Sequence, residues 1–135
     1  MGVSNDAQLV FGFSFEEEDA KPEFLGEFDD LDDYLVDKVF PGRGGDSDDR
    51  VSYETRIPII EACPAEIEKH CSYDYPMYIL TVRGTKISSS RGDTEVIMPE
   101  NLVVAPEKIA AFKAWCEEND IKYKEPQWLL CSING

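Results

Sequence analysis

The chain predicts an α+β fold, a two-layer sandwich in which two main helices and one short helix cover a mainly antiparallel sheet of five or six strands. Three observations predict it. AQLVFGFSF at 7–15 alternates with the period of a strand, with Leu9, Phe11, Phe13 and Phe15 on one face and Val10, Gly12 and Ser14 on the other. PEKIAAFKAWCEE at 106–118 repeats apolar residues at helical spacing. Short apolar runs separated by turn residues fill the chain between 76 and 98, as in hairpins. With 135 residues, one core and a single domain over 1–135 are expected, divided into an acidic N-terminal portion (residues 1–50) and a more neutral remainder (residues 51–135).

After the first strand, the polar run from Glu16 to Pro22 reads as a solvated loop. Phe24, Phe28, Leu31, Leu35 and Val39 then recur at spacings of four, three, four and four, one face of a helix over 29–39. Asp29 is the expected cap, with Asp30, Asp32 and Asp33 in the first turn, where the helix dipole favours negative charge. Phe40-Pro41-Gly42 stops this helix, and RGGDSDDR up to Arg50 is a flexible connection. Val51, Tyr53, Thr55 and Ile57 alternate and predict a second strand ended by Pro58. PAEIEKHC at 64–71 predicts the short helix, with Pro64 at its first position.

PMYILTVR at 76–83 is apolar on both faces, as in a strand buried in mid-sheet. A weak strand at 85–88 and EVIM at 95–98 flank the turn-forming run SSSRGDT, whose Arg91-Gly92-Asp93 needs no explanation beyond that turn. The helix at 106–118 has Pro106 in its first turn and Asn119 as a left-handed stop. QWLLCSI at 127–133 is the last strand.

Charge is the most unusual property. The formal net charge is −15 at pH 7; residues 1–50 carry fifteen acids against four bases, and residues 51–135 carry thirteen against nine. A field of this sign repels phosphate and anionic membranes and accelerates encounter with basic surfaces, so direct nucleic-acid or membrane binding is not expected. Neither a membrane-spanning apolar run nor a signal peptide is read, and Asp6 stands where a myristoylation motif wants Ser or Thr. Cys63, Cys71, Cys116 and Cys131 are expected as thiols of a cytoplasmic protein.

The aspartates Asp29, Asp30, Asp32, Asp33 and Asp37 fall within about 12 Å of helix axis, roughly one carboxylate per 2.5 Å, which approaches the charge density of duplex DNA. With Glu16, Glu17, Glu18 and Asp19, and with Asp46, Asp48 and Asp49, they predict a negative ridge for a basic partner. The plain alternative is a solvated helix face kept acidic for solubility. DSDD at 46–49 lacks the calcium-loop pattern. Cys63, His70 and Cys71 lack the spacing of a zinc site, so no metal and no cofactor are expected.

His70 is the sole histidine, and no serine or cysteine lies in a nucleophile turn such as G-x-S-x-G, so no catalytic residue is singled out. The expectation is a small non-enzymatic binding protein that modulates or inhibits a partner with a basic surface, with charge that imitates nucleic acid. The alternative is a small enzyme or metabolite-binding domain whose pocket, beside the 76–83 strand, uses Tyr78, Arg83, Arg91 and Trp128 around an anion.

Overall fold

The computed structural model describes residues 5–15, 21–44, 51–72 and 76–134. It is α+β. Five strands, β1 (Asn5–Ser14), β2 (Ala65–Ser72), β3 (Pro76–Val82), β4 (Ile87–Ser90) and β5 (Gln127–Asn134), form one mixed, mostly antiparallel sheet. Helices α1 (Leu31–Val39), α2 (Tyr53–Glu61) and α3 (Pro106–Glu118) accompany it, with 3-10 turns at Glu23–Leu25 and Pro99–Leu102.

The strand order is β3-β2-β5-β1-β4, and β1 also pairs with β3 through Gly12↔Thr81 to Ser14↔Ile79. These pairings run in a ring from β1 through β5, β2 and β3 back to β1, so the sheet curls on itself. Among the described residues the only parallel contact is β2 on β5, at Cys71↔Ile133 and Ser72↔Asn134. Gly12 makes the closure possible. A Cβ there would overlap the Leu80 carbonyl and lie 2.7 Å from the Thr81 Cα, so no larger residue fits where β1 crosses to β3.

Both faces of the sheet are consequently covered. One carries the main core, in which Phe13, Leu80 and Val82 meet Leu31 and Leu35 of α1 and Phe112, Trp115 and Cys116 of α3. Phe13 and Phe112 meet edge to face at 6.2 Å, and Phe24 bridges Tyr34 and Trp115 at 5.4 and 6.1 Å. On the opposite face, inside the curl, Gln8, Val10, Ile79 and Thr81 are buried, and Gln8 donates from Nε2 to the Lys69 carbonyl at 3.0 Å.

Two segments exchange the types expected of them. Residues 51–57, expected as a strand, enter α2: Ser52 precedes the first turn, and Pro58 sits within the helix. Tyr53 is 76% exposed, so the alternation of 51–57 does not mark a buried face. Within α2 it is Arg56 that is buried, drawn inward to Asp33 of α1. Residues 64–71, expected as the short helix, form β2. Its residues pair with β3 from Ala65↔Val82 to Cys71↔Pro76, and this cross-strand contact overrides the helix preference of Glu and Lys.

Smaller departures have local causes. EVIM at 95–98 is exposed and not in a strand, because Pro99 has no N–H to offer a ladder and begins a 3-10 turn. The weak strand lies at Ile87–Ser90. The cap of α1 is Asp30 and not Asp29, and Val36 replaces Val39 on the buried face. Asn119 ends α3 at φ −103°, and the left-handed residue is Asp120 at φ 56°. Asn119 works through its side chain: its Oδ1 accepts from Tyr34 at 2.8 Å and from the Lys38 amine, tying α3 to α1.

Candidate functional site

The aspartates of α1 fall into two groups because different neighbours cover the two sides of the helix. On one side Asp33 and Asp37 are engaged. Arg56, whose side chain is 8% exposed, places Nη2 at 2.5 Å from Asp33 Oδ1. Asp37 Oδ1 accepts the Gly42 N–H at 2.9 Å, and the chain folds back so closely that a Cβ on Gly44 would overlap the Asp33 carbonyl and the Asp37 side chain. Gly44, expected within the flexible connection that starts at Arg43, is thus packed on α1.

On the other side Asp29, Asp30 and Asp32 face outward. Asp30 Oδ1 accepts the Asp33 N–H at 2.8 Å, a cap that uses one lone pair and leaves the charge in place. Asp29 is 98% exposed, with Lys21 Nζ at 3.6 Å, a surface pair worth little in water. Asp32 is exposed beside them. These three border a depression of about 360 Å³ between α1, α2 and β2, completed by Glu66, Lys69 and Arg83. Four carboxylates against two cations leave it net negative.

Both cations are engaged by the chain itself, and Arg83 already pairs with one of the lining carboxylates, Glu66. Arg83 donates Nε–H to the Cys63 carbonyl at 2.6 Å and reaches Ala65 O and Glu66 Oε1 at 3.4 Å, and Lys69 stands 5.6 Å over the Tyr78 ring. The charge balance shows at Asp32, whose carboxyl titrates above its ordinary range. Partial burial at the mouth of the depression is the largest cause, and repulsion from Asp30 follows; Arg83 and Arg56 offset these without cancelling them.

Glu66 and Lys69 do not stand out in the sequence because 64–71 reads as a helix. The strand alternation of Ala65, Ile67 and Lys69 against Glu66, Glu68 and His70 is the signal that could have found them. Glu16, Glu17, Glu18, Asp19, Asp46, Asp48 and Asp49 lie outside the described residues.

The alternative anion-binding set is dispersed. Tyr78 is buried under Lys69, and Arg83 lies at the depression. Arg91 is exposed in the turn after β4, and Trp128 packs on Phe11 at 5.3 Å and donates to the Leu102 carbonyl at 2.9 Å. Among the described residues, no contact brings Arg91 or Trp128 to the other two. His70 is half-buried, its protonation disfavoured by desolvation. Among the described residues no group of three or more His, Cys, Asp or Glu side chains could hold a metal ion, and no helix is long and apolar enough to cross a membrane.

Comparison with protein-family models, with curated proteins and with solved structures finds no match.

Proposed function

We propose that the protein is a small non-enzymatic binding module of the cytoplasm that docks on the basic surface of another protein and modulates or inhibits it. Asp29, Asp30 and Asp32 at the start of α1 form the centre of the contact, with Glu66 beside them. The observation that carries the reading is geometric: Asp29, Asp30 and Asp32 border one open depression together with Glu66, against two lining cations. A lysine or arginine entering the depression would meet Asp29, Asp30 and Asp32 and offset their mutual repulsion. A groove that normally grips nucleic-acid phosphate is the kind of surface that fits, and Glu16 to Glu18 and Asp46 to Asp49 would flank the contact.

The test separates this face from bulk charge. Asp29→Asn/Asp32→Asn removes two charges and spares the cap Asp30, the Arg56 partner Asp33 and the Gly42 acceptor Asp37. Glu107→Gln/Glu118→Gln removes two from the exposed surface of α3. In capture from native-host lysate at low and high salt, the partner held by the wild-type protein should be lost by the first variant and kept by the second. Equal loss from both variants would reduce the reading to nonspecific attraction.

A further inference from the structure

The helical cover on the core face of the sheet thins away from Phe13. Where β4, β1 and β5 lie side by side, the cross-strand register places Ile87, Leu9 and Leu130 in one row on that face. Ile87 and Leu9 are half-buried, and Leu130 is 78% exposed although it sits in mid-strand. Phe11 and Trp128 adjoin the row toward Phe13, and Ser89, Ala7 and Ser132 form the next row on the other side. The chain from Val96 to Val103, exposed throughout, is anchored to this face where Trp128 donates to the Leu102 carbonyl at 2.9 Å. Apolar surface thus runs from the strands onto the adjoining segment, the mark of an interaction site.

No charged residue stands on these three rows. In a chain of which 30% is charged, they carry only apolar, small or hydroxyl side chains, and the nearest acids in sequence, Glu95 and Glu100, belong to the adjoining segment. The pattern selects the occupant. A basic partner finds no carboxylate on the rows to pair with, whereas two chains of net charge −15 repel each other least through the surface that carries no charge. The area also suits a second copy. A standard interface takes about 800 Å² from each partner, about a tenth of a small protein's surface, and this chain exposes 8687 Å². The three rows with Val96–Pro99, Leu102 and Val103 make up about a tenth of the chain, and most of these residues are open to solvent.

We propose that this face docks on the same face of a second copy of the chain, the two sheets packing about 10 Å apart around a two-fold axis with Leu130 of each copy inside the contact. The carboxylate depression between α1, α2 and β2 uses other residues, so the dimer and the docking on a basic partner can fail independently. A dimer would carry that depression twice.

Sedimentation equilibrium of the full chain across the micromolar range, at low and at high salt, is the experiment. The mean mass should rise with concentration from 15.3 kDa toward twice that value and no further. Association should tighten at least about threefold at high salt, where repulsion between the acidic copies is screened, the opposite of the dependence expected for a basic partner. Leu130→Glu and Ser132→Glu each bring a carboxylate into the contact from an exposed position. Each should weaken the dimer at least about tenfold and keep the melting temperature within about 2 °C. Tyr53→Glu, the same charge change at an exposed apolar residue of α2, and Asp29→Asn/Asp32→Asn should leave the dimer within about twofold. A mass of 15.3 kDa at every concentration, growth beyond two copies, or equal weakening by Tyr53→Glu would overturn the proposal. So would a monomer whose lysate partner is lost on Leu130→Glu, which assigns the face to that other protein.

Discussion

Asp33 and Arg56 make the strongest test of how the fold sorts its carboxylates. Arg56 is almost fully buried and its Nη2 meets Asp33 Oδ1 at 2.5 Å, while Asp33 keeps 20% of its side chain exposed. For charge centres about 4 Å apart at an effective dielectric of about 20, the attraction is about 4 kcal/mol before desolvation. Removing one partner of a buried pair costs about 3 to 5 kcal/mol, and the partial exposure of Asp33 lowers the expectation to about 2 to 3 kcal/mol. Asp33→Asn should therefore lower the melting temperature by about 6 to 12 °C in a domain of this size. Arg56→Met should cost less, because Asp33 can hydrate. The double variant should recover about 1.5 to 2.5 kcal/mol relative to the sum of the single variants. Urea unfolding of all four proteins gives the cycle. A loss below about 0.5 kcal/mol for Asp33→Asn, or strict additivity, would refute the claim that this pair joins α1 to α2.

Three further outcomes follow from the same structure. Gly12→Ala should cost about 3 kcal/mol or more, or prevent soluble folding, because its Cβ would meet the β3 backbone; urea midpoint or soluble yield measures it. Cys71 is exposed and should react first with a disulfide reagent at pH 8, whereas Cys116, fully buried and pushed up to about 12 chiefly by desolvation, should react only on unfolding. The unfolded thiol ionises near 9.0, so the stabilising contribution of the protonated Cys116 is complete below that pH and is lost between about 9 and about 12. Asp32→Asn should raise the melting temperature at pH 7 by about 1 to 2 °C while weakening partner binding. Because the folded Asp32 carboxyl titrates above its ordinary 3.8, it holds its proton more tightly than the unfolded chain does; the gain should appear as pH rises through that window and vanish in stronger acid.

The regions of the fold legible in the sequence are those where local pattern and tertiary contact agree. The Phe11-Phe13-Phe15 alternation, the apolar run of β3 and the Pro106-led helix α3 each bury the side their periodicity marks. The pattern misleads at 51–72, where helix and strand change places. Tyr53 and Thr55 alternate with polar residues but face solvent, and Glu66, Glu68 and Lys69 favour a helix until β3 supplies a strand to pair with. The same error hides half of the carboxylate depression. The aspartates of 29–37 are visible as a charge run, yet only the position of Arg56 in α2 and the close approach of Gly44 decide that Asp33 and Asp37 are engaged while Asp29, Asp30 and Asp32 face outward.

The most direct measurement of the central claim is the dissociation constant of the captured partner as a function of salt, for wild type and for the two charge-matched variants. At low salt Asp29→Asn/Asp32→Asn should weaken binding at least tenfold and flatten the dependence of affinity on salt, while Glu107→Gln/Glu118→Gln changes neither by more than about twofold. Affinity that ignores salt, or falls equally in both variants, would contradict it.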